Sequence, residues 1–213
     1  MIEIEKYTGL LLERVAASLK KNNFSVVICK DRVEALYHLK KNIPLNSKIG
    51  FGGSRTLEQI GFFKEFEKFK YPNLLDRNQL DLSLEDKQRI QKEALTADVF
   101  VSSANAVSIT GEIVFIDKWG NRSAAMTYGP KLRIIVAGRN KITSSLELAL
   151  DRAQNKAAVI NNIRFETKNP CTISGRCQDC NSENRICGVT TIIHRSIPAN
   201  SIFVLLVDED LGF

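Results

Sequence analysis

Short runs rich in valine and isoleucine alternate along this chain with segments whose apolar residues recur at helical spacing. The strand-like runs include Ser25–Cys29, Lys48–Gly53, Asp98–Ser103, Arg133–Ala137, Thr190–His194 and Ile202–Val207. Helices are predicted from about residue 6 to 21, from Asp31 through Lys41, from Leu84 to Thr96, and from Ser144, a plausible cap, to Lys156. Such alternation favours parallel βαβ units with helices on both faces of a sheet. The pattern predicts one α/β domain over residues 1–213.

Apolar spacing also predicts which helix faces point inward. In the first helix, Leu10, Leu11, Val15 and Leu19 form one stripe, and in the second, Val33, Leu36 and Leu39 are expected to face the core. The segment Lys64–Gln79 has the weakest pattern and is interpreted as an excursion or a lid.

The composition excludes several classes of protein. Of 213 residues, 44% are hydrophobic and 25% charged, which is ordinary for a chain that fills a core. The net charge of +6 is spread along the chain without long runs of one sign, so no nucleic-acid-binding arm is expected. The basic residues indicate solvated lysine-rich faces or a basic mouth for an anionic small molecule. Because we find no signal-peptide pattern and no apolar run long enough to cross a bilayer, we expect a cytoplasmic protein.

A glycine-rich turn follows the second strand-like run. In GFGGSRT, residues 50–56, the strand ends in glycines and leads into Thr56–Ile60, which reads as the start of a helix. Such a turn exposes backbone N–H groups that favour an anion. The candidate ligand-binding residues here are Gly52, Gly53, Ser54, Arg55 and Thr56. The alternative is a tight turn in which Ser54 or Thr56 only caps the helix.

Polar residues follow the next strands. Asn105 comes after the run that ends near Ser103, and Asn121 and Arg122 follow a hairpin that has Ile113–Asp117 as one arm. Ligands of open α/β sheets bind beyond the carboxyl ends of the strands, so these three residues are candidates for a carboxylate or phosphate site. Turn formation is the alternative. We expect Trp119 to pack and the side chains of Glu112 and Asp117 to be solvated, and no catalytic residue is assigned.

Four of the five cysteines, Cys171, Cys177, Cys180 and Cys187, form a C-x5-C-x2-C-x6-C pattern within loop 169–188. In reducing cytoplasm such a cluster indicates a metal site rather than disulfides. A single C-x2-C pair with irregular outer spacing favours a [4Fe–4S] cluster, and zinc is the alternative. Thiols that bind no metal are the third possibility. An iron–sulfur protein would be brown when purified anaerobically, with broad absorption near ~400 nm.

Three segments together resemble the lactate-utilisation (LUD) domain family, of the lactate-utilisation protein C type. They are GFGGSRTLEQIG, ADVFVSSANAVSITGEIVFIDKWGNRSAAMTYGP and IIVAGRNKI. The resemblance implies a three-layer α/β/α, Rossmann-like fold with a mainly parallel sheet, similar to ribose-5-phosphate isomerase, glucosamine-6-phosphate deaminase and the coenzyme A transferases. It also implies a ligand cleft at Gly52, Gly53, Ser54, Asn105 and Asn121–Arg122. Family members are linked to oxidation of L-lactate to pyruvate with iron–sulfur partner proteins.

The chain departs from that family in its compact four-cysteine loop, and it lacks a glutamate nucleophile placed as in the coenzyme A transferases. The first hypothesis is therefore a component of an organic-acid oxidation system in which the loop holds a redox cluster or docks an iron–sulfur partner. The second is a non-redox ligand-binding or regulatory domain, with structural zinc and a phosphorylated or acyl-coenzyme A ligand. A stand-alone isomerase or transferase is the third.

Overall fold

The computed structural model describes residues 2–213. The α-helices are α1 Ile2–Lys21, α2 Arg32–Asn42, α3 Arg55–Gln59, α4 Phe62–Glu65, α5 Leu84–Glu93, α6 Asn121–Thr127, α7 Leu146–Arg152, α8 Ala158–Arg164 and α9 Cys171–Ser174. The strands are β1 Ser25–Cys29, β2 Ile49–Phe51, β3 Val99–Ser102, β4 Ala106–Ser108, β5 Ile113–Asp117, β6 Leu132–Gly138, β7 Ile142–Thr143, β8 Val189–Ile193 and β9 Ile202–Val207. In this part of the chain no helix is both long and apolar enough to cross a membrane.

The main sheet has the strand order β1-β9-β6-β3-β2. Every neighbouring pair in it is parallel, with β9 paired to β1 on one side and to β6 on the other. Helices cover both faces, so the predicted α/β class with a mainly parallel sheet is confirmed. Strands buried on both faces are apolar at every position, which is why β9 reads IFVLLV without polar alternation.

Alternate residues of β9 enter two different cores because successive side chains of a strand point to opposite faces. Phe203 and Leu205 belong to the core that packs under α2, α3 and α4. Val204 and Leu206 belong to the core that packs under α1 and α6. The sheet is thus the middle layer between two sets of helices.

A second, smaller sheet was not predicted from the sequence. Its order is β7-β4-β5-β8, with β4 and β5 forming the expected antiparallel hairpin and β5 pairing with β8. One face of it packs toward the main sheet through Val107 and Phe115. The other face packs on α7 and α8, where alanines such as Ala149 and Ala158 allow close approach.

Two local predictions were wrong. Val33 and Leu10 were expected to face inward, but they are 71% and 57% exposed, because α2 turns Ala35 and Leu39 to the core and α1 turns Leu12, Val15 and Leu19. The cap of α7 is Ser145, whose hydroxyl accepts from the Leu148 N–H at 3.2 Å, and not Ser144.

The segment Lys64–Gln79, interpreted as an excursion or a lid, has its first half anchored in the core. The ring of Phe66 stacks between those of Phe62 and Tyr71, with centroid distances of 4.6 and 4.5 Å. Leu74 forms a parallel bridge with Ile49 at the start of β2. The segment therefore extends the edge of the sheet and delivers residues 75–79 to the glycine turn.

Candidate functional site

The carboxyl ends of β2, β3 and β6 meet at one edge of the main sheet, where a cleft of about 730 Å³ opens. Parallel strands place all their carboxyl ends together, and ligands of such sheets bind there. The glycine turn, the end of the hairpin, α6, residues 165–168 and the last part of the cysteine loop enclose this cleft. Its lining includes Gly53, Arg77, Trp119, Asn121, Arg122 and Asn184.

The glycine turn is held close to the neighbouring strand. A β-carbon on Gly52 would lie 2.6 Å from Ser102 Oγ and 2.9 Å from Arg122 Cδ, so only glycine fits. Ser54 caps α3 by accepting from the Leu57 N–H at 3.3 Å. The capping role is therefore present, and the ligand-binding role of Gly52, Gly53 and Ser54 stays a prediction.

Arg122, predicted to bind a ligand, uses most of its donors within the protein. Its Nε donates to Asp117 Oδ1 at 2.8 Å, and its Nη1 to the Ser103 carbonyl at 3.1 Å. Its Nη2 donates to Asn105 Oδ1 at 2.7 Å and to the Ile116 carbonyl at 2.9 Å. One of the five guanidinium N–H groups is left over. Arg122 thus ties the ends of β3 and β5 together, and only this one N–H remains for a ligand.

The prediction that Asp117 is solvated was wrong. Its side chain is buried and pairs with Arg122, while its second oxygen accepts from both the backbone N–H and the hydroxyl of Ser123, at 2.8 and 2.5 Å. Sequence reasoning treated the hairpin end as exposed, but the start of α6 covers it. Glu112 is also bonded, to the Thr110 hydroxyl.

Lys141 lies buried behind the glycine turn and was not predicted. Its Nζ donates to Thr56 Oγ1 at 2.9 Å, to Ser103 Oγ at 2.8 Å and to the Ala104 carbonyl at 3.0 Å. Burial, and then repulsion from Arg152 and Arg122, set the pKa of Lys141 well below its usual range. The signal in the sequence was its place in the segment IIVAGRNKI, three residues after the strand-like run ends at Gly138.

Arg77 is the residue of the cleft that sequence reasoning missed entirely. Within residues 2–213 no hydrogen bond or ion pair engages its guanidinium, although the side chain is half-buried and lines the cleft. Burial, and next the Arg122 charge, lower the pKa of Arg77, with Asp117 acting in the opposite direction. A desolvated cation without a partner is unfavourable, and an anion would satisfy it. The guanidinium of Arg77 is therefore available to an anion in the cleft.

The rim of the cleft carries an exposed aromatic ring. Trp119 was expected to pack, but it is 58% exposed, and the Lys118 ammonium lies 5.2 Å from the centroid of its ring. Asn121 begins α6 and lines the same cleft. Lys118 and Lys168 add positive charge at the rim.

The remaining predicted ligand residues surround a smaller polar pocket of about 30 Å³ beside the main cleft. Gly53, Ser54, Arg55, Thr56, Asn105, Arg122 and Lys141 all line it. Arg55 is exposed and forms an ion pair with Glu58 at 2.7 Å, so its charge is already partnered. The fold thus brings the predicted residues together at one edge of the sheet, with Asn121 on the larger cleft.

The cysteine loop forms one wall of the cleft. All five cysteines are free thiols; Cys171 is buried, and Cys177, Cys180 and Cys187 are half-buried. Across residues 2–213, however, no three Cys, His, Asp or Glu side chains stand in an arrangement ready to hold a metal ion. The metal site at these four cysteines therefore stays a prediction, as do the iron–sulfur cluster and zinc.

Comparison with known proteins gives a family and a fold. The family model of the LUD domain matches residues 12–207. A crystal structure of a DUF162 family protein from Deinococcus radiodurans is similar in fold, with a TM-score of 0.54 and 12% sequence identity over 94% of this chain and 97% of that chain. No curated protein is a significant match.

Proposed function

Because the chain belongs to the LUD domain family, we propose that it binds lactate or a closely related small organic acid as a component of an organic-acid utilisation system. Family membership supports involvement in lactate utilisation. The observation that carries the proposal is Arg77, a half-buried guanidinium without a partner that faces a cleft at the carboxyl edge of the sheet. Arginine pairs with a carboxylate through two parallel hydrogen bonds, so a small organic acid suits this position.

The surrounding charge supports an anionic ligand. Arg122 and Arg152 are largely withdrawn from solvent near the cleft, whereas Asp117 is the carboxylate buried beside them. An excess of positive charge in a concave site raises the local concentration of anions. Asn121 lines the same cleft and can donate to the hydroxyl or keto oxygen of the acid.

Oxidation of lactate to pyruvate releases two electrons and two protons, which need an acceptor. Cys171, Cys177, Cys180 and Cys187 of loop 169–188 would hold an iron–sulfur cluster that would pass electrons singly, two per lactate, to iron–sulfur partner proteins, and both protons would be released to water. Four thiolates are a donor set that both a [4Fe–4S] cluster and zinc accept, and the cluster would supply one-electron transfer. Such thiols persist in a reducing cytoplasm, where the proposal locates the protein. Asp117 is held by Arg122 and Ser123, so we assign it a positioning role.

A binding experiment with L-lactate and pyruvate tests the proposal. Trp119 is the single tryptophan and lines the cleft, so its fluorescence reports occupancy, and calorimetry gives the affinity. We expect Arg77→Ala to weaken binding by about tenfold or more, because a hydrogen-bonded charge is lost. The matched control is Arg89→Ala, since Arg89 lies on exposed α5 and pairs with Asp86. Equal affinities in the wild type and Arg77→Ala would contradict the proposal.

A growth experiment tests the role in the cell. Deleting the gene should abolish or slow growth on L-lactate or a related hydroxy acid, and the wild-type gene should restore it while the Arg77→Ala gene should not. Normal growth of the deletion strain on all such acids would remove the organic-acid proposal.

The size of the cleft favours a second candidate function. About 730 Å³ is within the range of sites for ligands much larger than a three-carbon acid. The second candidate is therefore a non-redox domain that binds a phosphorylated or acyl-coenzyme A ligand and is held together by structural zinc. A thermal-shift screen separates the two, because a ligand that binds only the folded chain raises its stability. A response to sugar phosphates or coenzyme A esters, together with no reducible chromophore, would favour the second candidate.

A further inference from the structure

We propose that the four cysteines bind one thiophilic metal centre, and that this centre fixes the wall of the cleft formed by loop 169–188. This metal centre deepens the proposed function, and it rests on that function only for the identity of the organic ligand in the cleft. Three features of the loop carry it: hydrogen bonds to a cysteine sulfur, an arginine that joins two cysteine backbones, and the contacts of the loop with the cleft.

In the C-x2-C knuckle, residues 177–180, the sulfur of the first cysteine accepts two hydrogen bonds. The Asp179 N–H donates to Cys177 Sγ at 3.4 Å, and the Gln154 side-chain amide donates to the same sulfur at 3.3 Å. Asp179 adopts a positive φ of 44°, a strained conformation for a residue with a side chain. Hydrogen bonds to sulfur stabilise the thiolate form that binds metal. The chain thus holds the Cys177 sulfur in a prepared position.

Arg185 joins the backbones of Cys180 and Cys187. Its Nη1 donates to the Cys180 carbonyl at 2.7 Å and its Nε to the Cys187 carbonyl at 3.1 Å. Its Nη2 also pairs with Asp179 at 3.1 Å. One guanidinium therefore joins the knuckle to the last cysteine, and its charge offsets the negative charge of metal-bound thiolates. Since the sulfurs are not yet in a coordinating arrangement, binding a metal requires the loop to tighten.

Tightening would act directly on the cleft. Asn184 and Ile186, which lie between Cys180 and Cys187, line the cleft. The buried Asn169 side chain donates to the Asn184 carbonyl at 3.1 Å and so links both ends of the loop. At the end of the loop, a β-carbon on Gly188 would lie 2.6 Å from the Lys118 carbonyl oxygen. The backbone at Gly188 therefore packs closely against the segment that carries Trp119.

The first test is a titration of metal-stripped protein with Co²⁺ and with Zn²⁺, using absorption and metal analysis. We expect one equivalent to bind wild-type protein and the Cys29→Ala control, since Cys29 lies in β1 outside the loop, and Cys180→Ser and Cys177→Ser to lose binding. The absorption spectrum and metal content of anaerobically purified protein distinguish the metals. Brown protein with broad absorption near ~400 nm identifies an iron–sulfur cluster, and colourless protein with one equivalent of zinc identifies a zinc site. Less than a tenth of an equivalent in every preparation, or unchanged binding by Cys180→Ser, would overturn the metal site.

The second test needs no organic ligand. We expect metal alone to shift the Trp119 fluorescence and to slow hydrogen exchange at residues 166–168 and 184–186 in wild-type and Cys29→Ala protein, but not in Cys180→Ser. Metal binding without either change would overturn the link to the cleft and leave the proposed function standing. Conversely, unchanged lactate affinity in Arg77→Ala would fail the proposed function and leave the metal site standing.

Discussion

The Arg77 Nη2 atom lies 2.9 Å from the point that a β-carbon on Gly53 would occupy. The segment after Tyr71 is thus fitted against the glycine turn, and the missing side chain at position 53 makes room for the guanidinium. Gly53 has no positive φ, so this glycine is required by space and not by backbone conformation. The same contact brings the cation without a partner to the edge of the sheet.

Gly53→Ala should therefore impair ligand binding more than stability. The new methyl group meets the flexible end of Arg77, which can move away at little cost but then leaves its place in the cleft. We expect the affinity for the organic acid to fall by about tenfold, as for loss of a charged hydrogen bond, with a nearly unchanged urea midpoint. The control is Gly9→Ala in α1, where nothing lies within 4 Å and alanine should raise the free energy of unfolding by about 0.5–1 kcal/mol. Full affinity in Gly53→Ala would show that Arg77 is not the anchor.

Asp117→Ala should destabilise the whole chain. The substitution leaves the Arg122 charge without its carboxylate and the Ser123 N–H without its acceptor in a largely buried part of the cleft wall. Removing one partner of a buried pair costs about 3–5 kcal/mol, which urea unfolding would measure. Asp86→Ala, which breaks the exposed pair with Arg89, should leave the urea midpoint nearly unchanged. A similar small effect for both variants would mean that the Arg122 network does not support the fold.

Cysteine labelling should separate Cys29 from the loop. Burial, with smaller contributions from Glu34 and Asp31, raises the pKa of Cys29 to about 12, and the residue is fully buried in β1. In metal-stripped protein at about pH 8, iodoacetamide should modify Cys177, Cys180 and Cys187 and leave Cys29 unmodified until urea unfolds the chain. Peptide mass spectrometry reads each site. Early modification of Cys29 in folded protein would contradict the burial of β1.

The same pKa makes stability fall at high pH. Between the ordinary value of 9.0 and about 12, the folded chain keeps the Cys29 proton that the unfolded chain loses, so the free energy of unfolding decreases as pH rises through this window. Cys29→Ala should reduce this alkaline decrease. An identical decrease in the variant and the wild type, measured by urea unfolding from about pH 8.5 to about pH 10.5, would argue against it.

The sequence predicted the main sheet well because its strands are buried on both faces. In an α/β chain, a short apolar run such as Ile202–Val207 forms a central strand that is buried on both faces. The glycine turn marks the edge of the sheet where the strands have their carboxyl ends. The second sheet was missed because β4 and β7 are short, and because their pairing with each other joins residues that are far apart in the sequence. Local pattern holds no information on such pairing.

The candidate site was predicted as a place but not as a set of contacts. Asn105 and Arg122 do lie at the sheet edge, yet their side chains mainly bond within the protein, to each other and to the ends of β3 and β5, because Asp117 draws the arginine inward. Arg77 lies in the segment with the weakest pattern, where only tertiary contacts decide which side chains face the cleft. The prediction from four cysteines depended on spacing alone, and spacing does not determine where the sulfurs point.

The free energy of unfolding should rise more steeply with pH in the wild type than in the Lys141→Met variant. Its folded pKa lies well below the ordinary value of 10.5, first because of burial and then because of Arg152 and Arg122. Between those two pKa values the unfolded chain binds more protons than the folded chain, so the free energy of unfolding increases with pH across that window. Methionine keeps the stem but cannot titrate, although it also loses the bonds to Thr56 and Ser103. Urea unfolding at about pH 7 and about pH 9.5 should give a larger increase for the wild type, because changes from all other groups are common to both proteins. Equal increases would mean that Lys141 keeps its proton in the fold across this range, with its charge fully supported by its three acceptors.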